Sequence, residues 1–142
     1  MFCGSGFSKA GGLYNLAFPG DEPLREPLSL EVSRLPSGRV HFVGFRQQGA
    51  IGEVYVDSDT LVLPSIYSET WAVVVNEAKQ FGLPCTVSDR VGCGPDLVIC
   101  DVTGQVSTHG ALGELAGCLR KDGDHGDGRT PPSACQAPRE VG

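Results

Sequence analysis

Two carboxylates, Glu69 and Glu77, are separated by seven residues in the run Glu69-Thr-Trp-Ala-Val-Val-Val-Asn-Glu77. A helix that starts just after Glu69 has unpaired backbone N–H groups at Thr70, Trp71, Ala72 and Val73, and the positive end of its dipole lies there. That is a seat for a diphosphate needing no basic side chain. Glu77 falls on the second turn of such a helix, so the two carboxylates reach different hydroxyl-bearing parts of one ligand. Carboxylate oxygens accept several hydroxyl hydrogen bonds, which suits a sugar. The residues alone leave a second reading open, in which Glu69 only favours the helix dipole and Glu77 is a solvated position.

Two further stretches have types and spacing that bear on chemistry. Gly4-Ser-Gly6 follows a very short apolar start and reads as a glycine turn, either plain or at the ligand end of a strand. The loop Val87-Ser-Asp-Arg-Val-Gly-Cys-Gly-Pro-Asp96 follows a predicted strand and either lines a crevice or connects strand to helix, with Pro95 at the helix start. The sequence holds no G-x-G-x-x-G and no G-x-x-x-x-G-K, so neither dinucleotide fingerprint nor P-loop is present.

The elements that must position these residues alternate. Residues 40–43 are a β-rich run ended by Gly44, followed by Ile51, Val54 and Tyr55 at near-helical spacing. Residues 60–63 are a second apolar run closed by Pro64, after which Ser68 caps a predicted helix carrying Val74, Ala78 and Phe81 until Gly82 stops it. The valines at 73–75 favour strand, but the Asn-Glu-Ala-Lys-Gln that follows favours helix. Residues 84–87 and 104–106 read as further strands, and 111–119 as an amphipathic helix with Leu112, Leu115, Ala116 and Leu119 on one face. Strands alternating with helices imply an α/β fold, a parallel sheet with flanking helices. Residues 7–38, broken by prolines and glycine pairs, predict irregular structure with one helix over 27–35.

Composition bounds the function. A chain of 142 residues corresponds to about one domain, and its net charge of -6 argues against a sequence-independent grip on nucleic acid. Any anionic ligand must be held locally. No apolar run approaches the roughly 18 residues of a bilayer span, and the start lacks signal-peptide character, which reads as cytoplasmic. The six cysteines form no C-x-x-C pair, and the run around Cys85 makes that residue a small buried hydrophobe. His41, His109 and His125 sit at no recognisable metal-ligand spacing. From Lys121 the composition turns to Gly, Asp, Pro and Ser, so residues 1–119 are expected to form the domain and 120–142 a flexible tail.

Taken together, Val40-His-Phe-Val-Gly-Phe45, Leu61-Val-Leu-Pro-Ser65, Glu69 through Glu77, Ala78-Lys-Gln-Phe-Gly-Leu-Pro84, Ser88-Asp-Arg-Val-Gly92, Pro95-Asp-Leu-Val98 and Thr103-Gly-Gln-Val106 resemble the carboxyl-terminal domain of family 4 glycosyltransferases. Order, spacing and residue types agree over residues 40–119, and Gly20-Asp-Glu-Pro-Leu-Arg25 and Phe2-Cys-Gly4 with Lys9 add shorter matches upstream. The resemblance implies a Rossmann-like donor-binding half of a GT-B fold, incomplete towards its N-terminus and without the N-terminal acceptor domain. In that picture Glu69 contacts the donor sugar, Glu77 holds the ribose hydroxyls, the backbone at Thr70, Trp71, Ala72 and Val73 faces the diphosphate, and Gly4 and Lys9 lie near the donor.

The implied activity is transfer of a sugar from a nucleotide diphosphate sugar with retention at the anomeric carbon, with no cofactor and no metal, to an acceptor the sequence does not identify. Peripheral membrane association is implied only for the full-length relative. Ala72 stands where the family has Gly, adding a methyl group at the phosphate-facing turn, and Ser5 where it has Arg, removing half of a basic clamp. With these departures and without the acceptor domain, the isolated chain is expected to carry out little or no transfer. The alternatives are a non-catalytic nucleotide-binding or interaction fragment and, ranked last, a sugar-nucleotide epimerase.

Overall fold

The computed structural model describes residues 2–4, 15–19, 25–34, 38–45, 48–67 and 72–124. Its strands are β1 (Phe2–Gly4), β2 (Leu16–Pro19), β3 (Val40–Gly44), β4 (Thr60–Leu63), β5 (Cys85–Ser88) and β6 (Gly104–Ser107). The helices are α1 (Arg25–Val32), α2 (Gln48–Val56), α3 (Val73–Gln80), α4 (Gly94–Leu97) and α5 (Leu112–Asp124). Among the described residues the strands form one sheet in the order β3-β2-β1-β4-β5-β6. None of the described helices is long and apolar enough to cross a membrane.

Five strands run the same way, as the alternating pattern predicts, because β2 is parallel to β3 and β4 to β5 to β6. β1 is the exception. It pairs antiparallel with both β2 and β4, with Gly4 opposite Leu16 and Thr60. Two antiparallel strands need no crossover helix between them, whereas parallel ones do.

Sequence periodicity places most elements. Strands β4 and β5 are buried along their whole length, as expected of parallel strands covered on both faces. Helix α3 ends where Gly82 predicts it. Gly82, at φ 74°, donates its N–H to Lys79 O at 3.0 Å, and Leu83 donates to Ala78 O at 3.1 Å, which is a Schellman closure. The left-handed turn favours glycine because it has no Cβ.

Four expectations change. Helix α3 begins at Val73, with Ala72 as its N-cap and no side-chain cap bond, and not directly after Glu69. Residues 7–38 contain a strand, β2, whose Leu16–Pro19 run ends on Pro19-Gly20 and therefore reads with the irregular segment around it. Helix α1 spans Arg25–Val32, two residues earlier than the prolines suggested. Helix α5 continues to Asp124, past the expected tail boundary, because Arg120 and Lys121 are good helix formers despite the polar composition.

The core lies on one face of the sheet. Leu61, Leu63, Cys85 and Val87 project there and pack with Tyr55 of α2, Val75 and Ala78 of α3, and Val91, Cys93 and Val98 around α4. Val62 and Ser88, alternate residues of the same strands, and Ser107 of β6 face α5 across a groove of about 390 Å³ lined also by Leu16, Leu115 and Leu119. At the far end of this second face Phe18 stacks on Phe42 with ring centroids 5.3 Å apart, and the Arg25 guanidinium of α1 lies 5.9 Å from the Phe42 ring centre.

Two positions make this arrangement testable. A Cβ built on Gly104, whose φ is 151°, would lie 2.0 Å from Cys85 O, inside the β5–β6 ladder. Gly104→Ala is therefore expected to abolish the cooperative melt or lower stability by at least ~3 kcal/mol, checked by urea denaturation. Lys79 is 4% exposed, and among the described residues its Nζ has no hydrogen-bond partner. Replacing an unsatisfied polar group with an apolar side chain of similar length removes a desolvation cost. Lys79→Met is expected to raise stability by ~1–3 kcal/mol in the same assay.

Candidate functional site

In an open α/β sheet ligands bind beyond the carboxyl ends of the parallel strands. Here that edge is formed by the residues following Leu63, Ser88 and Ser107. Three hydrogen bonds tie these loops together. Ser88 Oγ donates to Ser65 O at 2.6 Å, the Asp89 N–H donates to Ser107 O at 2.9 Å, and the His109 N–H donates to Asp89 Oδ1 at 2.9 Å. The stretch after β5 is thus a brace between its neighbours, and Pro95 does stand in the first turn of α4.

The His109 ring closes the brace. Its Nδ1 lies 2.9 Å from Asp89 Oδ1 and 3.3 Å from Arg90 Nε. A ring nitrogen serves one of these at a time: protonated it donates to the carboxylate, unprotonated it accepts from the guanidinium. The spacing of twenty residues between Asp89 and His109 hid this pairing from a sequence search for local ligand motifs. Among the described residues no group of three His, Cys, Asp or Glu side chains is arranged to hold a metal ion.

Helix α3 starts at the same edge. Val73, its first residue, is exposed and Ala72 before it is buried. Ala72 has φ −85° and ψ 94°, an ordinary extended conformation, and belongs to the core cluster. The backbone there requires no glycine, and the added methyl group packs with the core.

Glu77 lies at the start of the second turn of α3, half-buried. Its Oε2 accepts a hydrogen bond from Tyr55 Oη at 3.0 Å. Tyr55 is 1% exposed, and its ring stacks on Phe81 with centroids 5.2 Å apart. The sequence placed Tyr55 only as an apolar position of α2. Its 22-residue separation from Glu77 carries no local signal of their contact.

The structure brings Ala72, Val73 and Glu77 together on one helix at the ligand edge. It does not bring Gly4 to them. Because β1 runs opposite to the other strands, its carboxyl end lies beside Thr60 and Leu16, the first residues of β4 and β2, at the far edge of the sheet. A glycine turn at the ligand end of the sheet requires its strand to run with the others, and β1 runs against them. Lys9, Ser68, Glu69, Thr70 and Trp71 lie outside the described residues.

A doubly covered, almost wholly parallel sheet of this kind is the Rossmann-like domain of GT-B glycosyltransferases, and solved structures share it. The lipopolysaccharide outer core galactosyltransferase WaaB, in its apo form, superposes with a TM-score of 0.71 at 22% identity, over 88% of this chain and 36% of that one. HepE from Anabaena, solved in complex with UDP, gives 0.71 at 27% identity, over 84% of this chain and 34% of HepE. Sucrose-phosphate synthase from Thermosynechococcus elongatus gives 0.67 at 24% identity, over 84% of this chain and 30% of the synthase. The chain thus spans about a third of the length of these proteins. No curated protein sequence matches it significantly.

The family model for glycosyl transferases group 1 matches residues 9–120, and the chain belongs to that family.

The brace has a pH signature. Hydrogen bonds from the backbone and then the side chain of His109 hold the Asp89 carboxyl below its ordinary value. A carboxyl whose folded value is depressed adds stability above its unfolded value of about 3.9, and that stability is lost as pH falls through the folded value. Asp89→Asn is expected to lower the melting temperature at neutral pH and to narrow the gap between the variant and the native chain below about pH 4. Melting curves across that range would show it, and a pH-independent gap would exclude the carboxylate.

Proposed function

We propose that this chain supplies the donor site of a retaining family 4 glycosyltransferase, as part of its carboxyl-terminal domain. The observation that carries the reading is Glu77, held one turn into a helix that starts at the carboxyl edge of a Rossmann-like sheet. In this reading the Glu77 carboxylate accepts the ribose hydroxyls of a nucleotide diphosphate sugar. The amides at Thr70, Trp71, Ala72 and Val73 face the diphosphate, and Glu69 contacts the sugar. Charge developing on the departing diphosphate is stabilised by preorganised N–H groups, with no resident metal or cofactor. The acceptor is bound by a second domain. HepE, solved with UDP and with UDP-glucose, makes a uridine nucleotide the first donor to test.

A second reading rests on β1. With Gly4 at the far edge of the sheet, one predicted donor contact is missing. That favours a non-catalytic unit that binds nucleotide without transferring sugar.

The test is a thermal-shift titration of the chain with UDP, GDP and ADP, with Glu77→Ala as control. A ligand that binds only the folded state adds RT ln(1 + [L]/Kd), about 2.7 kcal/mol at a hundredfold excess over Kd. Stabilisation by one nucleotide that disappears in Glu77→Ala supports the donor site and names its base. Cooperative melting with no response to any nucleotide would remove it. Hydrolysis or transfer of the matching nucleotide sugar then separates the first reading from the second.

A further inference from the structure

Among the described residues one buried tyrosine reaches the carboxylate on which the proposed donor site depends. Gly52 and Tyr55 are three residues apart on α2, and Phe81, the residue that caps the carboxyl end of α3, follows Glu77 by four, so each pair lies on one side of its helix. The two faces meet. The Phe81 ring passes over Gly52, where a Cβ would already stand 3.4 Å from Cζ, and stacks on Tyr55 at an interplanar angle of 18°. Tyr55 is 1% exposed, so its ring is held by packing, and its hydroxyl lies 3.0 Å from Glu77 Oε2. A carboxylate has room for about four hydrogen bonds. The phenol uses one of them, on Oε2, and no described residue donates to Oε1.

We propose that Tyr55 is a positioning residue that fixes the rotamer of the Glu77 carboxylate so that its remaining lone pairs meet a vicinal diol of the ligand. This rests on the reading of Glu77 as the ribose-binding carboxylate. A long, half-buried Glu side chain loses rotamer freedom when a ligand orders it, and a preformed hydrogen bond from a rigid ring removes part of that cost before binding. Burial makes the ring a fixed donor, and the Phe81 stack sets its direction. The side chain touches Glu77, and the ligand feels it only through that residue.

The experiment is calorimetric titration of the full chain with UDP and with 2′,3′-dideoxy-UDP, which lacks the diol. The native chain is expected to prefer UDP. Tyr55→Phe keeps the ring and its stack while removing the donor. It is expected to reduce that preference by about three- to tenfold while leaving affinity for the dideoxy nucleotide unchanged. Glu77→Ala should abolish the preference, and Tyr55→Phe should add nothing in that background. Phe81→Leu keeps the hydroxyl but frees the ring, and is expected to shift the preference in the same direction should Tyr55→Phe not melt cooperatively. No preference in the native chain overturns the ribose assignment of Glu77 and the role of Tyr55 with it. A native preference that survives Tyr55→Phe, or an equal loss of both affinities, overturns the role of Tyr55 alone.

Discussion

Parallel strands keep a common register only if their backbones approach without obstruction, and at the β5–β6 ladder that condition rests on Gly104. Its partner is Cys85, and any side chain at position 104 would occupy the space of the Cys85 carbonyl. The register so fixed sets Ser88 opposite Ser107 at the other end of the ladder. From there the Asp89 N–H reaches Ser107 O, and Asp89 reaches His109. The geometry of the ligand edge is thus determined three residues away, at the far end of two short strands.

The two faces of the sheet are not equivalent. One carries the apolar core, with Leu61, Leu63, Cys85 and Val87 against α2, α3 and α4. The other presents Ser88 and Ser107 beside Val62 and is covered by α5 on one side of a groove. The core face carries the stability, and α3, which bears Glu77, packs on it.

Much of the fold was readable in the residues because the relevant signals are local. Apolar runs closed by Pro64 and Gly44, and a glycine at position 82 able to take a left-handed turn, locate strands and helix ends within a residue or two. The start of α3 was less legible. No polar residue caps it, and its first turn is three valines, whose branching gives weak helix preference. The direction of β1 was not legible at all. Three residues carry no periodicity, and whether a strand runs parallel or antiparallel depends on pairing partners far along the chain. Of the site, Glu77 stood out through its spacing from Glu69. Tyr55 and the Asp89–His109 pair did not, since their contacts cross 22 and 20 residues and join separate elements.

The reversed first strand also decides where the ends of the fold emerge. Phe2 pairs with Val62 near the carboxyl end of β4, so the amino-terminal end of β1 points towards the edge where α3 begins. Helix α5 leaves that same edge after Ser107 and Thr108 and runs back along the sheet to Asp124. An affinity tag or fluorescent protein fused ahead of β1 would therefore emerge beside the mouth of the candidate site and compete for its space. A fusion placed after α5 would emerge from the opposite side of the domain and leave that mouth open.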